Sequence, residues 1–435
     1  MLNAFFVVLV LLSVLVAAFT GQMEAVSSGA LDAAKKAVEL ALGLIGTMSL
    51  FMGLMKVAQD GGLLRLIAKA AAPVMKRLFP DVPEDHPAMS AMILNMASNV
   101  LGLGNAATPF GIRAMQELER LNPVKGTATN AMVLFLAINT AGLAILPTGV
   151  LALRAAAGSK DPAGIVFTTW FASGVATVVA ILAATLLAKL PRYRVAAPLN
   201  AEVPAPPDEP NPAALVETET TPPRFGGWLA AGYVVALAAA LVVYVLQEHE
   251  VRPLAEVLRG VLSYWMIPVL IAGLVLFGWA RGVKVYESLV AGARDGFQVA
   301  LRIMPYLIAI LVAVAMFRAS GCLAVFVAAA APFTSALGLP AEAVPMAVLR
   351  PLSGSGSFGV MSEILTARGP DSPLGYLVST MQGATDTTFY TLAVYFGAVG
   401  IKKTRHAVPA GLLADAAGIM AAVLICRAVW GAPGP

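Results

Sequence analysis

The chain has 435 residues, with 29 Lys+Arg against 25 Asp+Glu and a formal net charge of +4. Hydrophobic residues make up 59% and charged residues 12%, about half the charge of a soluble domain, and the mean hydropathy is +0.81. These values argue against a soluble enzyme, a nucleic-acid binder and a disordered chain, and point to a helical protein that crosses a lipid bilayer several times.

Residues 2–19 open the chain with an apolar run. No Lys or Arg precedes it and no small-residue cleavage site closes it, so it reads as a retained first span rather than a signal peptide. Further spans are expected at about 40–58, 128–153, 163–188, 227–247, 262–280, 299–318, 374–399 and 407–430. Stretches near 62–79, 88–110, 321–337 and 343–366 are apolar but interrupted by Gly, Pro, Asn, Ser or Arg. Irregular backbone at membrane depth survives only inside protein or beside water, so these four are the informative ones. Residues 283–297 put Val283, Tyr286, Val290, Ala293 and Phe297 on one helical face, as expected of a connector lying on the bilayer. Residues 191–225, rich in Pro, Glu and Ala, read as a solvated linker between a first unit, 1–190, and a second, 226–435.

The two units look like repeats. At an offset of 260 residues Gly61 falls on Gly321, and the first span falls on 262–279. At an offset of 252, Gly102 and Gly104 in LGLGNAATP fall on Gly354 and Gly356 in LSGSGSFGV, and Asn139-Thr140 lies near Thr385-Asp386. A repeated pair of Gly/Pro-interrupted segments is the sequence pointer to a transporter's midplane site. The apolar run 227–247 between the units would invert the second repeat if each unit crosses an even number of times.

These interruptions hold the polar residues. Asn95 and Asn99 are spaced to share a helical face. Asn105 and Thr108 follow Gly102 and Gly104, which free the backbone, and Pro109 suits the start of a half-helix. In the second unit Arg350 precedes Ser353, Gly354, Ser355, Gly356 and Ser357, and Gln382, Thr385, Asp386 and Thr387 lie within MQGATDTT. A charge centred in a bilayer costs at least about 2.5–3.5 kcal/mol on insertion scales. Arg350 therefore needs a partner or a cavity, with Asp386 the expected counter-charge and Glu363 the second choice. Unpaired, it suits a carboxylate or phosphate. Broken helices also expose unpaired N–H groups that attract anions. Lys56, Arg154 and Arg318 sit near segment ends and are expected to snorkel, and Asp415 has nothing in the sequence to bring it near Asp386.

The runs FPDVPEDHPAMSAMILNMASNVLGLGNAATPFGIRAMQEL (79–118) and FLAINTAGLAILPTGVLALR (135–154) resemble spore maturation protein A. The runs 267–321, RPLSGSGSFGVMSEIL (350–365) and GATDTTFYTLAVYFGAVGIKKTRH (383–406) resemble spore maturation protein B. The resemblance covers nearly everything but the linker, so the chain looks like a fusion of the two. Both belong to the nucleoside-recognition "gate" group. The resemblance implies a multi-pass protein of the cytoplasmic (inner) membrane, linked to spore maturation or envelope physiology, with no settled substrate. By analogy with related gate-domain transporters it also implies a homo-oligomer.

The expectation is therefore an all-α polytopic membrane protein with two gate-type repeats containing broken or re-entrant helices. A small polar or anionic solute would bind between Asn95, Asn99, Asn105 and Asn139 on one side and Arg350, Ser353, Ser355, Ser357 and Asp386 on the other. Packing competes with this reading: small residues let membrane helices approach, and Asn, Ser and Thr join them. The alternative function is a non-transporting scaffold or regulator of envelope or spore-cortex enzymes, whose sensitive residues would lie on loops. Enzymatic chemistry is not expected. SGSGS lacks the GxxxxGK[ST] pattern, and there is no GxSxG elbow with triad partners. Cys322 and Cys426 form no CxxC, and His86, His249 and His406 are scattered, so neither a metal nor a cofactor is expected.

Overall fold

The computed structural model describes residues 2–102, 104–193, 226–250, 257, 261, 265–335 and 337–431. Most of the linker expected over 191–225 lies outside these residues. Among the described residues the chain is helical throughout, apart from one isolated bridge between Thr127 and Lys403. Met23–Asp60, Pro162–Ala188, Gly227–His249 and Ala407–Trp430 are long and apolar enough to cross a bilayer. By its apolar helices this is a multi-pass membrane protein.

The helices fall into two series. The first is α1 (Leu2–Thr20), α2 (Met23–Asp60), α3 (Leu63–Leu78), α4 (Pro87–Val100), α5 (Gly104–Arg120), α6 (Asn130–Ala141), α7 (Thr148–Ala156) and α8 (Val166–Ala188). After α9 (Gly226–His249) comes the second: α10 (Met266–Ala280), α11 (Val285–Ala319), α12 (Cys322–Ser335), α13 (Val344–Leu349), α14 (Gly354–Arg368), α15 (Pro373–Ala384), α16 (Thr388–Ala398) and α17 (Ala407–Trp430). In chain order the two series correspond helix for helix, and α9 stands outside both. Gly62 (φ +81°) and Gly321 (φ +83°) make the same left-handed turn after α2 and α11, a conformation that only glycine adopts freely.

The series interleave. Long α2 lies along long α11, and α8 lies along α17. The α2–α11 seam runs through small residues. A Cβ on Gly53 would sit 2.7 Å from Leu289 O, and one on Gly296 would sit 2.7 Å from Met48 O. This corrects the expected surface connector at 283–297, which is instead the first half of the single 35-residue helix α11. Its bulky Tyr286 and Phe297 are exposed and its glycines face α2, because close backbone approach rewards the small face.

Two expected spans are also broken. The stretch 128–153 divides at Gly142, a left-handed cap with φ +58°, into α6 and α7. The stretch 374–399 divides at Thr385–Thr387, whose extended backbone separates α15 from α16. The contacts trace where these pieces run. At one end of the molecule the end of α7 meets the start of α15, through Arg154 and Pro370. At the other end the segment after α16 meets the start of α6, through Ala128 N–H donating to Lys403 O at 3.0 Å. Midway, Asp386 N–H donates to Thr140 O at 2.6 Å, so the C-terminal ends of α6 and α15 abut. Each broken segment therefore runs from one end to the other, in opposite directions.

The remaining breaks are hairpin tips. Helices α4 and α5 pack side by side, with Asn95 Nδ2 donating to Ala107 O at 2.8 Å. The start of α13 returns beside the end of α14, where Arg368 Nε donates to Glu342 at 3.0 Å. Each tip holds the neighbouring break: Ile145 N–H donates to Val100 O (2.6 Å) and Phe389 N–H to Pro351 O (3.0 Å). Gly102 at the first tip has φ +74°, and a Cβ there would lie 2.5 Å from Leu146 O.

Candidate functional site

Four breaks thus converge at the centre and carry nearly all the predicted polar residues. On the first side Asn99 Nδ2 donates to Asn139 Oδ1 at 2.8 Å. Asn95 Nδ2 reaches Tyr395 Oη at 3.1 Å, and Tyr395 Oη donates to Asn139 Oδ1 at 3.3 Å. Asn99 thus meets α6 directly, and Asn95 joins the same network through Tyr395. Tyr395, from α16, was not anticipated, since one Tyr in an apolar helix carries no polar signal. It joins the two series across the centre, and its ring stacks on Phe135. Thr140 turns its hydroxyl back onto Leu136 O (3.2 Å) and contributes its carbonyl to Asp386. Gly104 opens α5, Thr108 is half-buried one turn later, and the side chain of Asn105 lies outside the described residues.

The second side is organised by Arg350, buried at the end of α13. Its Nη1 donates to Thr387 Oγ1 at 3.3 Å. Its Nη2 donates to Gln382 O at 3.0 Å and to Thr385 O. These carbonyls lie at the unwound end of α15, where helical partners are missing. The expected ion pair with Asp386 does not form: Asp386 and Asp415 act on the guanidinium only at longer range. The Asp386 carboxylate is exposed and accepts the Thr387 N–H at 2.7 Å. Glu363, the second choice, pairs with Arg318 at 2.7 Å, so Arg318 is not simply snorkelling.

The serines serve the second tip. Ser353 Oγ caps α14 by accepting Gly356 N–H at 3.0 Å and lies 3.4 Å from Ser355 Oγ. Ser357 Oγ donates to Gly354 O at 3.0 Å, and Gln382 Nε2 reaches the same carbonyl at 3.5 Å. The start of α14 is therefore capped by its own serine, rather than bare as an anion site requires.

Two residues read differently in three dimensions. Asp415 is buried in α17 and accepts from Thr388 Oγ1 at 2.6 Å, which brings it to the centre after all. The signal was present, an acidic residue inside an apolar span, but its neighbours come from elsewhere in the chain. Arg154 does not snorkel. It is fully buried beside the start of α15, donates to Pro370 O (2.6 Å), Asp161 O and Asp371 (both 3.0 Å), and lies over the Tyr376 ring at 4.4 Å.

Two helical series, interrupted at matching places and meeting through those interruptions, define a gate-type membrane protein. The nucleoside-recognition (Gate) family matches residues 41–157 and 300–402, which take in all four breaks, and the chain belongs to that family. It is 48% identical over 170 residues to spore maturation protein B of Bacillus subtilis (strain 168), covering 39% of this chain and 96% of that protein. It is 37% identical over 182 residues to spore maturation protein A of the same organism, covering 42% of this chain and 93% of that protein. The chain thus has the composition of a fusion of the two. No solved structure matches.

Proposed function

We propose that the chain is a transporter-like protein of the cytoplasmic membrane, with its repeats within 1–190 and 226–435, which holds a small polar or anionic solute where the four breaks meet. In this reading the α4–α5 and α13–α14 hairpins enter the bilayer from opposite faces and turn back at its middle. The segments α6–α7 and α15–α16 cross fully but unwind halfway. Helices α6 and α15 have 12 residues each, about 18 Å apiece, and end to end they are long enough for a hydrocarbon core of about 30 Å. The observation that carries the proposal is the contact of Asp386 with Thr140 between two helix ends that approach from opposite ends of the molecule. Polar backbone and side chains are costly at that depth unless they are paired inside the protein or surround a hydrated or ligand-filled space. Rocking of one repeat against the other would open the centre to each face in turn. Similarity to the spore maturation relatives supports a link of this activity to spore maturation or envelope physiology, and a homo-oligomer is the arrangement we propose by analogy.

The test is uptake into proteoliposomes across a panel of nucleosides, amino acids, amines and small acids. Wild-type protein should accumulate one class, and Arg350→Gln and Asp386→Asn should lose that uptake. A flat profile, unaltered by either substitution, contradicts the proposal.

A further inference from the structure

Each series carries an arginine that ties down the other. Arg154, near the end of α7, donates to Pro370 O (2.6 Å) and to Asp371 (3.0 Å), just ahead of α15. Arg405, between α16 and α17, donates to Ala128 O (3.0 Å) and to Asn130 Oδ1 (2.9 Å), where α6 begins. The arrangement is reciprocal. Each guanidinium sits at or just after the end of its own series' broken span and grips the start of the other's. The two residues are 251 positions apart, within one of the offset that sets Gly102 on Gly354. They work at opposite ends of the molecule, with the contact of Asp386 and Thr140 midway.

The two grips differ in closure. Arg154 is fully buried, and Asp371 also accepts the Lys160 N–H at 2.7 Å. Arg405 is half-buried and Asn130 is exposed. Arg405 lines a cavity of about 510 Å³ together with Asp81, Asn122, Thr127 and Thr129. Its backbone lies in the left-handed region at φ +51°, and among the described residues no other non-glycine residue does so. An arginine adopts that conformation only where its surroundings impose it, and such strain clusters at switch regions. Here the bonds to Ala128, Asn130 and Tyr193 impose it. Rocking about the central contact has to break the ties at one end while keeping those at the other. The more numerous bonds of Arg154 make opening at its end the costlier motion.

We infer that Arg154 and Arg405 are the two gate clasps of the molecule, one for each face, and that the chain is here closed at the Arg154 end and poised to open at the Arg405 end. This rests on the transport reading above. It adds the residues that hold each face shut, neither of which belongs to the central polar group.

The test places Ser355→Cys in the full chain with Cys322 and Cys426 replaced. Its labelling by a membrane-impermeant thiol reagent is followed from each face of sealed vesicles, with no solute added. Lys160→Cys and Lys125→Cys, both exposed and one at each end, identify the faces. Labelling should be faster from the Arg405 face. Asp371→Asn weakens the Arg154 clasp. It should raise the ratio of labelling, Arg154 face to Arg405 face, about tenfold, as expected for a lost charge-assisted bond. Arg405→Gly suits the left-handed backbone and removes the other clasp, so it should lower that ratio. Ser159→Ala takes a smaller partner from Arg154. It should act as Asp371→Asn does but less, and it decides the matter if that variant does not fold. Faster labelling from the Arg154 face in the parent chain, a ratio indifferent to all three substitutions, or faster labelling from both faces alike overturns the clasps and leaves the solute site standing. Opposite shifts in a chain that takes up no solute would leave the clasps standing and remove transport. A cysteine unlabelled from either face in every chain overturns both.

Discussion

Among the described residues two arginines are buried, Arg154 and Arg350, and they sit in opposite circumstances. Arg154 spends every nitrogen: Nε on Pro162 O, Nη1 on Pro370 O and Ser379 Oγ, and Nη2 on Ser159 Oγ, Asp161 O and Asp371. Its partners come from both series, at one end of the molecule. Arg350 stands at the centre, makes no ion pair and leaves Nε free. A saturated guanidinium is a clasp, since nothing is left for a ligand to satisfy. An unsaturated one, as deeply buried and beside two carboxylates it does not touch, is a group that waits for a partner. Burial alone does not separate the roles; the hydrogen-bond account does.

That contrast breaks most readily at the clasp. Arg154→Met leaves three backbone carbonyls and Asp371 without their donor, and should destabilise the protein by about 3–5 kcal/mol, read as a lower thermal midpoint in detergent. Arg350→Gln should cost roughly half as much stability or less, while solute binding and uptake fall at least tenfold. Equal losses of stability from the two substitutions would erase the distinction. Tyr395→Phe tests the bond between the series at a smaller scale. It keeps the Phe135 stacking and removes the hydroxyl from Asn95 and Asn139, for about 1 kcal/mol by double-mutant cycle with Asn95→Ala.

The smallest effect lies just before α4, outside the candidate spans, where His86 caps that helix by accepting the Ala88 N–H on Nδ1 at 3.1 Å. Burial holds the imidazole below its ordinary pKa of 6.5, reinforced by Arg120 and opposed by Glu117. The folded protein therefore takes up this proton at lower pH than the unfolded chain does. Stability from the cap is complete above about 6.5 and is lost as pH falls through the lowered value, by about 1 kcal/mol. His86→Asn, which caps without titrating there, should flatten that acid limb of the stability profile.

The same residues explain what was legible in the sequence. The tips at Gly102 and Ser353 announce themselves because Gly and Ser interrupt apolar runs. The breaks within 128–153 and 374–399 do not, since Ala141–Leu143 and Gly383–Thr385 read as ordinary membrane-helix letters and the unwinding there is stabilised by the facing break. Asn95, Asn99 and Asn139 are readable as a polar set because two share a helical face. Arg154 and Asp415 read differently in the sequence because their partners lie elsewhere in the chain: Pro370 and Asp371 for one, Thr388 for the other. Glu363, the second choice of counter-charge for Arg350, is delivered by helix packing to Arg318.

The central claim is that the breaks enclose a space that solvent and solute reach from the membrane faces. The most direct measurement places a single cysteine, Ser355→Cys, in a chain with Cys322 and Cys426 replaced, and labels it with a small membrane-impermeant thiol reagent in right-side-out and inverted vesicles. The account predicts labelling from both faces, slowed by a bound solute. A cysteine that stays unlabelled from either face in intact vesicles, and reacts only after denaturation, would contradict it.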